Sequence, residues 1–396
     1  MTNSSPSSAR NPVPSLSQRL ALASLSLLLT LAGCGPSDGL QELADGRAAY
    51  AAADYKRAEK LLLKSAECNP ANVDTCVSLA QLMLQTGNIP AAKEWVARAE
   101  DLAAGDTDVR LLGAQIAWHA TDYEKAERLF AGIANDEQLD AELRSQGWTG
   151  LGIVQVTRGE HDLARISYLR AIRLDRRNAS AYYHLGHLYR YAPFGYPEAA
   201  RDAFDAFVHL SGAEMSSVRV QKTQQSIIPE LKDTISRALA ERPGASQRNS
   251  AASAAALSKA EAAAKKGNHK AARTAYQEAL TADALSYPAA LGLAREELKI
   301  DPSAAGQKKS LALYRTACLL KPSAVATLVE AGALAERLAL PAQAREIYSR
   351  AVAANPASID AIDGLIRSIR KANGDRKVAQ AYQAYRDILP VPGKRK

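Results

Sequence analysis

Four cysteines and one histidine pair are the residues of this chain whose types and spacing could carry chemistry: Cys34, Cys68, Cys76, Cys318, and His184 with His187. Cys34 follows Leu31-Ala32-Gly33 at the end of an apolar run that begins at Leu20, and the polar opening before that run holds Arg10 and Arg19 but no acid. A basic opening, an apolar stretch of roughly 7–15 residues and small residues at a cleavage site define a secretory signal. At about 12 residues the run falls short of the ~20 needed to cross a membrane. Cys68 and Cys76 flank Asn69-Pro70. In an oxidising compartment such neighbours could bridge if their Cα atoms come within roughly 4.4–6.8 Å. Otherwise they are two small apolar residues packed at a seam between helices. Cys318, beside Ala317, is expected to be a buried thiol. His184 and His187 lie three apart and share one face of a helix. A zinc site needs a third and fourth ligand, and no nearby Cys, Asp or Glu set supplies them, so no metal is expected. The chain also lacks a Gly-rich phosphate loop, H-E-x-x-H and G-x-S-x-G. No catalytic residue and no cofactor are expected.

These residues must be positioned by helices. The 396 residues are rich in Ala, Leu, Arg, Lys and Glu, and few stretches show the β-branched runs bounded by turns that mark strands. An all-α chain follows. Its main body repeats near a 34-residue period. One clear unit has Trp148, Leu151-Gly152, Gly159, Ala164, Tyr168 and Ala171, and its neighbour begins Tyr182, Leu185-Gly186 and Tyr189. The spacing recurs at Gly46, Ala58, Leu62 and Pro70, then at Leu79-Ala80, Gly87, Ala92, Val96 and Ala99, and more weakly at Ala114, Asp122-Tyr123, Ala126 and Phe130. It returns at Gly267, Ala272, Tyr276 and Ala279, at Gly332, Ala344, Tyr348, Ala351 and Pro356, and at Leu365, Val378, Tyr382 and Pro390. Small residues let paired helices approach and large ones fill the gaps between turns. Pro70, Pro322, Pro356 and Pro390 belong just past helix ends, because proline cannot continue a helix.

These residues resemble the tetratricopeptide (TPR) pattern. The resemblance implies an all-α helical-hairpin solenoid of about nine imperfect repeats in two arrays, 40–212 and 251–390, since no unit buries its apolar face alone. Two units depart from the pattern, with a lengthened turn at Tyr191–Pro197 and an insert around Ile300-Asp301-Pro302. Residues 213–250 fit no unit. Ser217–Ala240 still reads as a helix with Val220, Ile227, Ile228, Leu231, Ile235 and Leu239 near one face, forming a helical linker. In TPR proteins the first helix of each pair lines the inside of the superhelix. Carried over, the partner-facing residues are Arg47, Tyr50, Gln81, Leu84, Gln115, Trp118, His119, Tyr183, His187, Arg190 and Tyr191, an aromatic and mildly basic groove of the residue types that dominate binding hot spots. Nothing reproduces the Lys/Asn clamp of some chaperone-binding TPRs. The ninth unit (Asp360, Asp363, Arg367, Arg370, Lys371) reads as a solvated end cap, and 391–396 as a basic tail.

Leu31-Ala32-Gly33-Cys34 in turn resembles the lipobox of bacterial lipoproteins. That implies a signal peptide over 1–33, diacylglyceryl transfer to the Cys34 thiol, cleavage before it and a lipidated tether over 34–39. Two or more acyl chains hold a protein stably to a membrane. Gly35, rather than Asp, favours the outer membrane, facing the periplasm. The formal charge is +8, and removing residues 1–33 takes away two arginines and leaves +6. Anionic lipid, glycan or an acidic protein suits such a surface better than nucleic acid, which is not expected. The expected function is a membrane-anchored scaffold of the bacterial cell envelope that binds protein partners and is not an enzyme, in the manner of TPR lipoproteins that support secretion, pilus or envelope assembly. The alternative is a glycan- or lipid-binding module using the same groove.

Overall fold

The computed structural model describes residues 38–191, 193–212, 217–246, 248–372 and 374–390. The expected signal segment over 1–33, Cys34 and residues 391–396 lie outside the described residues. The helices, in chain order, are α1 (Asp38–Ala51), α2 (Tyr55–Cys68), α3 (Val73–Gln85), α4 (Ile89–Leu102), α5 (Thr107–His119), α6 (Tyr123–Ala134), α7 (Ala141–Thr157), α8 (His161–Leu174), α9 (Ala179–Arg190), α10 (Pro197–Leu210), α11 (Val218–Lys222) and α12 (Ile228–Ala240). There follow α13 (Ser250–Lys265), α14 (His269–Ala282), α15 (Tyr287–Ile300), α16 (Ala304–Leu320), α17 (Val325–Arg337), α18 (Pro341–Ala354), α19 (Ile359–Lys371) and α20 (Arg376–Asp387). None of these is long and apolar enough to cross a membrane.

Local chemistry sets the helix ends. Asn72, Asn88, Asn178 and Asn268 each accept a hydrogen bond from the backbone N–H three residues on, a cap worth about 1 kcal/mol. Most of the hairpin turns hold one residue with positive φ. Glycine fills it at Gly87, Gly159 and Gly267, but Ala53, Thr121 and Ala339 occupy it elsewhere, at φ of 55–60°. The left-handed region is costly for these side chains. Pro70, Pro322, Pro356 and Pro390 all lie just beyond a helix, as expected.

Consecutive helices pair as antiparallel hairpins, α1 with α2, α3 with α4, α7 with α8, α9 with α10, α13 with α14, α15 with α16, α17 with α18 and α19 with α20. A small residue on the first helix makes room for a large one on the second. A Cβ built at Gly46 would stand 2.8 Å from Leu62, one at Gly152 2.4 Å from Tyr168, and one at Gly332 2.7 Å from Tyr348. Ala58, Ala92, Ala126, Ala164, Ala272 and Ala344, the small residues of the second helices, are fully buried.

The described residues form two compact units that divide between Leu129 and Phe130, whereas the arrays read from the sequence meet at 213–250. The first unit packs around Leu43, Leu62, Leu79, Leu82, Val96, Leu112 and Ile116. Cys76 belongs to this core and is a free, buried thiol whose pKa burial raises. The Cys68–Cys76 bridge therefore does not form. Cys68 closes α2 and its Cβ sits beside Gly39 of α1, whereas Cys76 opens α3 and turns inward. Cys318 is buried as expected, its pKa pushed up to about 12 by burial.

In the second unit one apolar cluster joins α8, α9, α10 and α12 to α16–α20. At its centre Arg165 of α8 is fully buried. Its Nε donates to Tyr382 Oη at 2.6 Å, its Nη1 to Ser349 Oγ at 2.7 Å, and its Nη2 to Asp162 Oδ1 at 3.0 Å. Arg345 holds the other Asp162 oxygen at 2.8 Å. The guanidinium also lies 4.5 Å from the centre of the Phe194 ring, supplied by the lengthened 191–197 turn. Burial penalises the Arg165 charge, but the tyrosine and Asp162 around it more than offset that, so its pKa stands above the ordinary arginine value. The end cap expected in the ninth unit is thus not solvated throughout. Tyr382 and Tyr385 of α20 are buried, because α20 packs on α8.

The Ser217–Ala240 helix is interrupted. A π-helical turn over Thr223–Ile227 separates α11 from α12, next to Pro229, which has no N–H to donate. Val220, Ile227, Ile228 and Leu231 are buried against the unit, as the apolar spacing predicts.

Candidate functional site

In the first unit the expected groove residues fall into two rows. Arg47, Gln81 and Gln115 stand one 34-residue repeat apart on α1, α3 and α5, and all three are exposed. Tyr50, Leu84 and Trp118 repeat at the same spacing and are half-buried. The regularity is physical. Identical hairpins stacked in register put equivalent side chains in a line. Arg47 is fixed by donating to Ser78 Oγ at 2.9 Å and Asp74 Oδ1 at 2.8 Å on α3. Tyr50 packs 5.9 Å from Tyr55, and Trp118 meets His119 edge-on at 4.6 Å. Partial burial, then Tyr55, raises the Tyr50 pKa. Such a surface offers half-buried Tyr50, Leu84 and Trp118 beside exposed hydrogen-bonding groups, an arrangement suited to gripping a peptide.

In the second unit Tyr183, His187, Arg190 and Tyr191 come together on α9 and its end. The Tyr183 ring lies 4.5 Å from His187 and 5.0 Å from Phe207. His187 stacks 6.4 Å from Tyr191, which is 55% exposed. The chain's own non-repeat helices cover part of this surface. Glu230 of α12 takes the Arg190 guanidinium at 2.5 Å, and the Arg219 guanidinium of α11 sits over the Tyr183 ring at 5.0 Å. Arg190 is therefore a clasp on α12 rather than an open cation. His184 turns to the core and stacks 5.9 Å from Tyr168. Burial, then Arg219 and His187, lowers its pKa to about 4. Burial, then Arg190, Lys222 and Arg219, lowers that of His187. Among the described residues no group of three His, Cys, Asp or Glu could hold a metal ion.

Sequence reasoning did not find Arg219 and Lys222 as part of this surface. Their signal was available, two cations three apart beside an apolar position in a segment outside the repeats. Glu230 carried none, because only the fold brings it to Arg190.

The model for the tetratricopeptide repeat matches residues 49–116, a second TPR repeat model matches 154–190, and a further tetratricopeptide repeat model matches 254–284. No curated protein sequence matches the chain. Solved structures that resemble it include PilF of Pseudomonas aeruginosa, at 17% identity over 52% of this chain and 94% of that one, with a TM-score of 0.39. A thermophilic TPR protein of Thermus thermophilus aligns at 17% identity over 47% of this chain and 99% of that one, with a TM-score of 0.41. The APC/C hetero-tetramer Cut9–Hcn1 aligns at 16% identity over 93% of this chain and 82% of that one, with a TM-score of 0.36.

Proposed function

We propose, from the premise that the chain is a tetratricopeptide repeat protein, that it is a non-catalytic adaptor of the bacterial cell envelope, anchored through an acylated Cys34 and gripping a protein partner. The observation that carries the adaptor reading is the pair of 34-spaced rows in the first unit, exposed Arg47, Gln81 and Gln115 beside half-buried Tyr50, Leu84 and Trp118. Polar and apolar side chains alternating at a fixed repeat suit an extended ligand laid along them, and aromatic residues such as Tyr50 and Trp118 are types that supply much of the energy of such contacts. The Leu31-Ala32-Gly33-Cys34 ending supports the anchor, and the small residue at position 35 supports the outer membrane. The partner belongs to an assembly of the envelope, such as a secretion or pilus complex.

Crosslinking and pull-down from native membranes tests the adaptor reading. Wild type captures a defined partner, and Gln81→Ala with Trp118→Ala loses it while helicity is unchanged. Undiminished capture by that variant sinks the reading. Labelled-palmitate incorporation and detergent phase partition test the anchor. Cys34→Ala should take up no label and leave the detergent phase, and unchanged retention with normal cleavage would overturn it.

A further inference from the structure

We propose that the face formed by α9 and α11 in the second unit binds an acidic peptide, with Arg219 and Lys222 taking its carboxylates and Tyr183 and Tyr191 packing the chain between them. This rests on the adaptor reading and names the chemistry of a partner at a second surface. Arg219 and Lys222 lie three apart on α11, so they project to one side. Both are exposed, and among the described residues neither has a carboxylate partner. The Arg219 guanidinium is held over the Tyr183 ring, a contact that fixes its position and leaves its N–H groups available. Arg190 is already paired with Glu230, so among the described residues the charges of this surface without a carboxylate are the two of α11. Arg190, Lys222 and Arg219 all act on His187 as cations, while the carboxylate of Glu230 is held on Arg190, so an acid is drawn to the α11 side of the face. Tyr191, 55% exposed, and Val218, 80% exposed, supply apolar surface next to the charges.

A membrane surface fits less well. Two cations near an anionic leaflet contribute about 1 kcal/mol each, too little to hold a protein. A peptide can use the same two charges together with the aromatic contacts.

Fluorescence anisotropy of the full-length chain with a labelled octa-glutamate peptide tests this. The wild type should bind it, more weakly as salt rises. Arg219→Gln with Lys222→Gln should weaken binding at least tenfold, and Tyr191→Ala several-fold. Arg57→Gln with Lys60→Gln, the same loss of charge from exposed positions on α2, should change nothing. Because Arg219 and Lys222 are exposed, circular dichroism should show each variant folded. Equal binding by the α11 and α2 variants overturns the proposal, and so does binding of phosphatidylglycerol vesicles through Arg219 and Lys222 with no binding of octa-glutamate. Partner capture from membranes that depends on Trp118 but not on Arg219 and Lys222 would leave the adaptor reading intact while this one fails.

Discussion

The two compact units are built from the same hairpin but use it differently. In the first, the described core runs from hairpin to adjacent hairpin, and the first-helix face carries two regular rows. In the second, contacts join hairpins far apart in sequence, Arg165 to Ser349 and Tyr382, and the non-repeat α11–α12 segment lies across α9. A repeat with only local contacts keeps its period on the surface. Once an insert such as Phe194 and a buried ion cluster tie distant hairpins together, the period persists in the core, but the surface is decided by what folds onto it.

Breaking the buried cluster should separate the units most sharply. Asp162→Ala leaves Arg165 buried without its carboxylate and should cost the second unit about 3–5 kcal/mol. Asp74→Ala, which releases exposed Arg47 in the first unit, should cost no more than about 1 kcal/mol. Trp148 reports the second unit and Trp95 with Trp118 the first, so tryptophan fluorescence during denaturation reads both. Comparable losses would show that the buried cluster is not what ties the second unit together.

The pH dependence comes next. The His184 pKa falls from its ordinary 6.5 to about 4, so the folded protein holds this ring neutral while the unfolded chain protonates it. Stability is present in full above pH 6.5 and is lost as pH falls from 6.5 towards 4, by at most about 3 kcal/mol. His184→Gln should flatten that part of the stability curve for the second unit. An unchanged slope would mean that the ring is protonated in the fold.

Overpacking tests the hairpin register itself. Ala164→Trp or Ala344→Trp forces bulk into a closed seam and should cost about 1–3 kcal/mol, occasionally more, with Ala92→Trp doing the same in the first unit. Unaltered melting at these sites would put the repeat out of register. The smallest effect should have the opposite sign. Thr121 holds φ at 60° where Gly87 stands in the preceding repeat. Thr121→Gly should stabilise the first unit by up to about 1 kcal/mol. A loss of stability would show that the Thr121 side chain makes a contact worth more than the strain.

The sequence by itself determined the helices, their pairing and the seam residues. Those follow from local spacing. A glycine facing an aromatic, a capping Asn or a proline beyond a helix end acts within one hairpin, and a 34-residue period copies it along the chain. It also placed the rows of Arg47, Gln81 and Gln115 and of Tyr50, Leu84 and Trp118, because stacking in register preserves the period at the surface. Only the tertiary structure decided that Cys76 turns into the core away from Cys68, that Arg190 is spent on Glu230, that α20 seals against α8, and that Arg219 sits over Tyr183. Each joins residues with no shared period, brought together by packing across many hairpins. An arginine in a repeat reads as a surface charge until the fold surrounds it with Asp162, Ser349 and Tyr382, and desolvation then makes its partners obligatory.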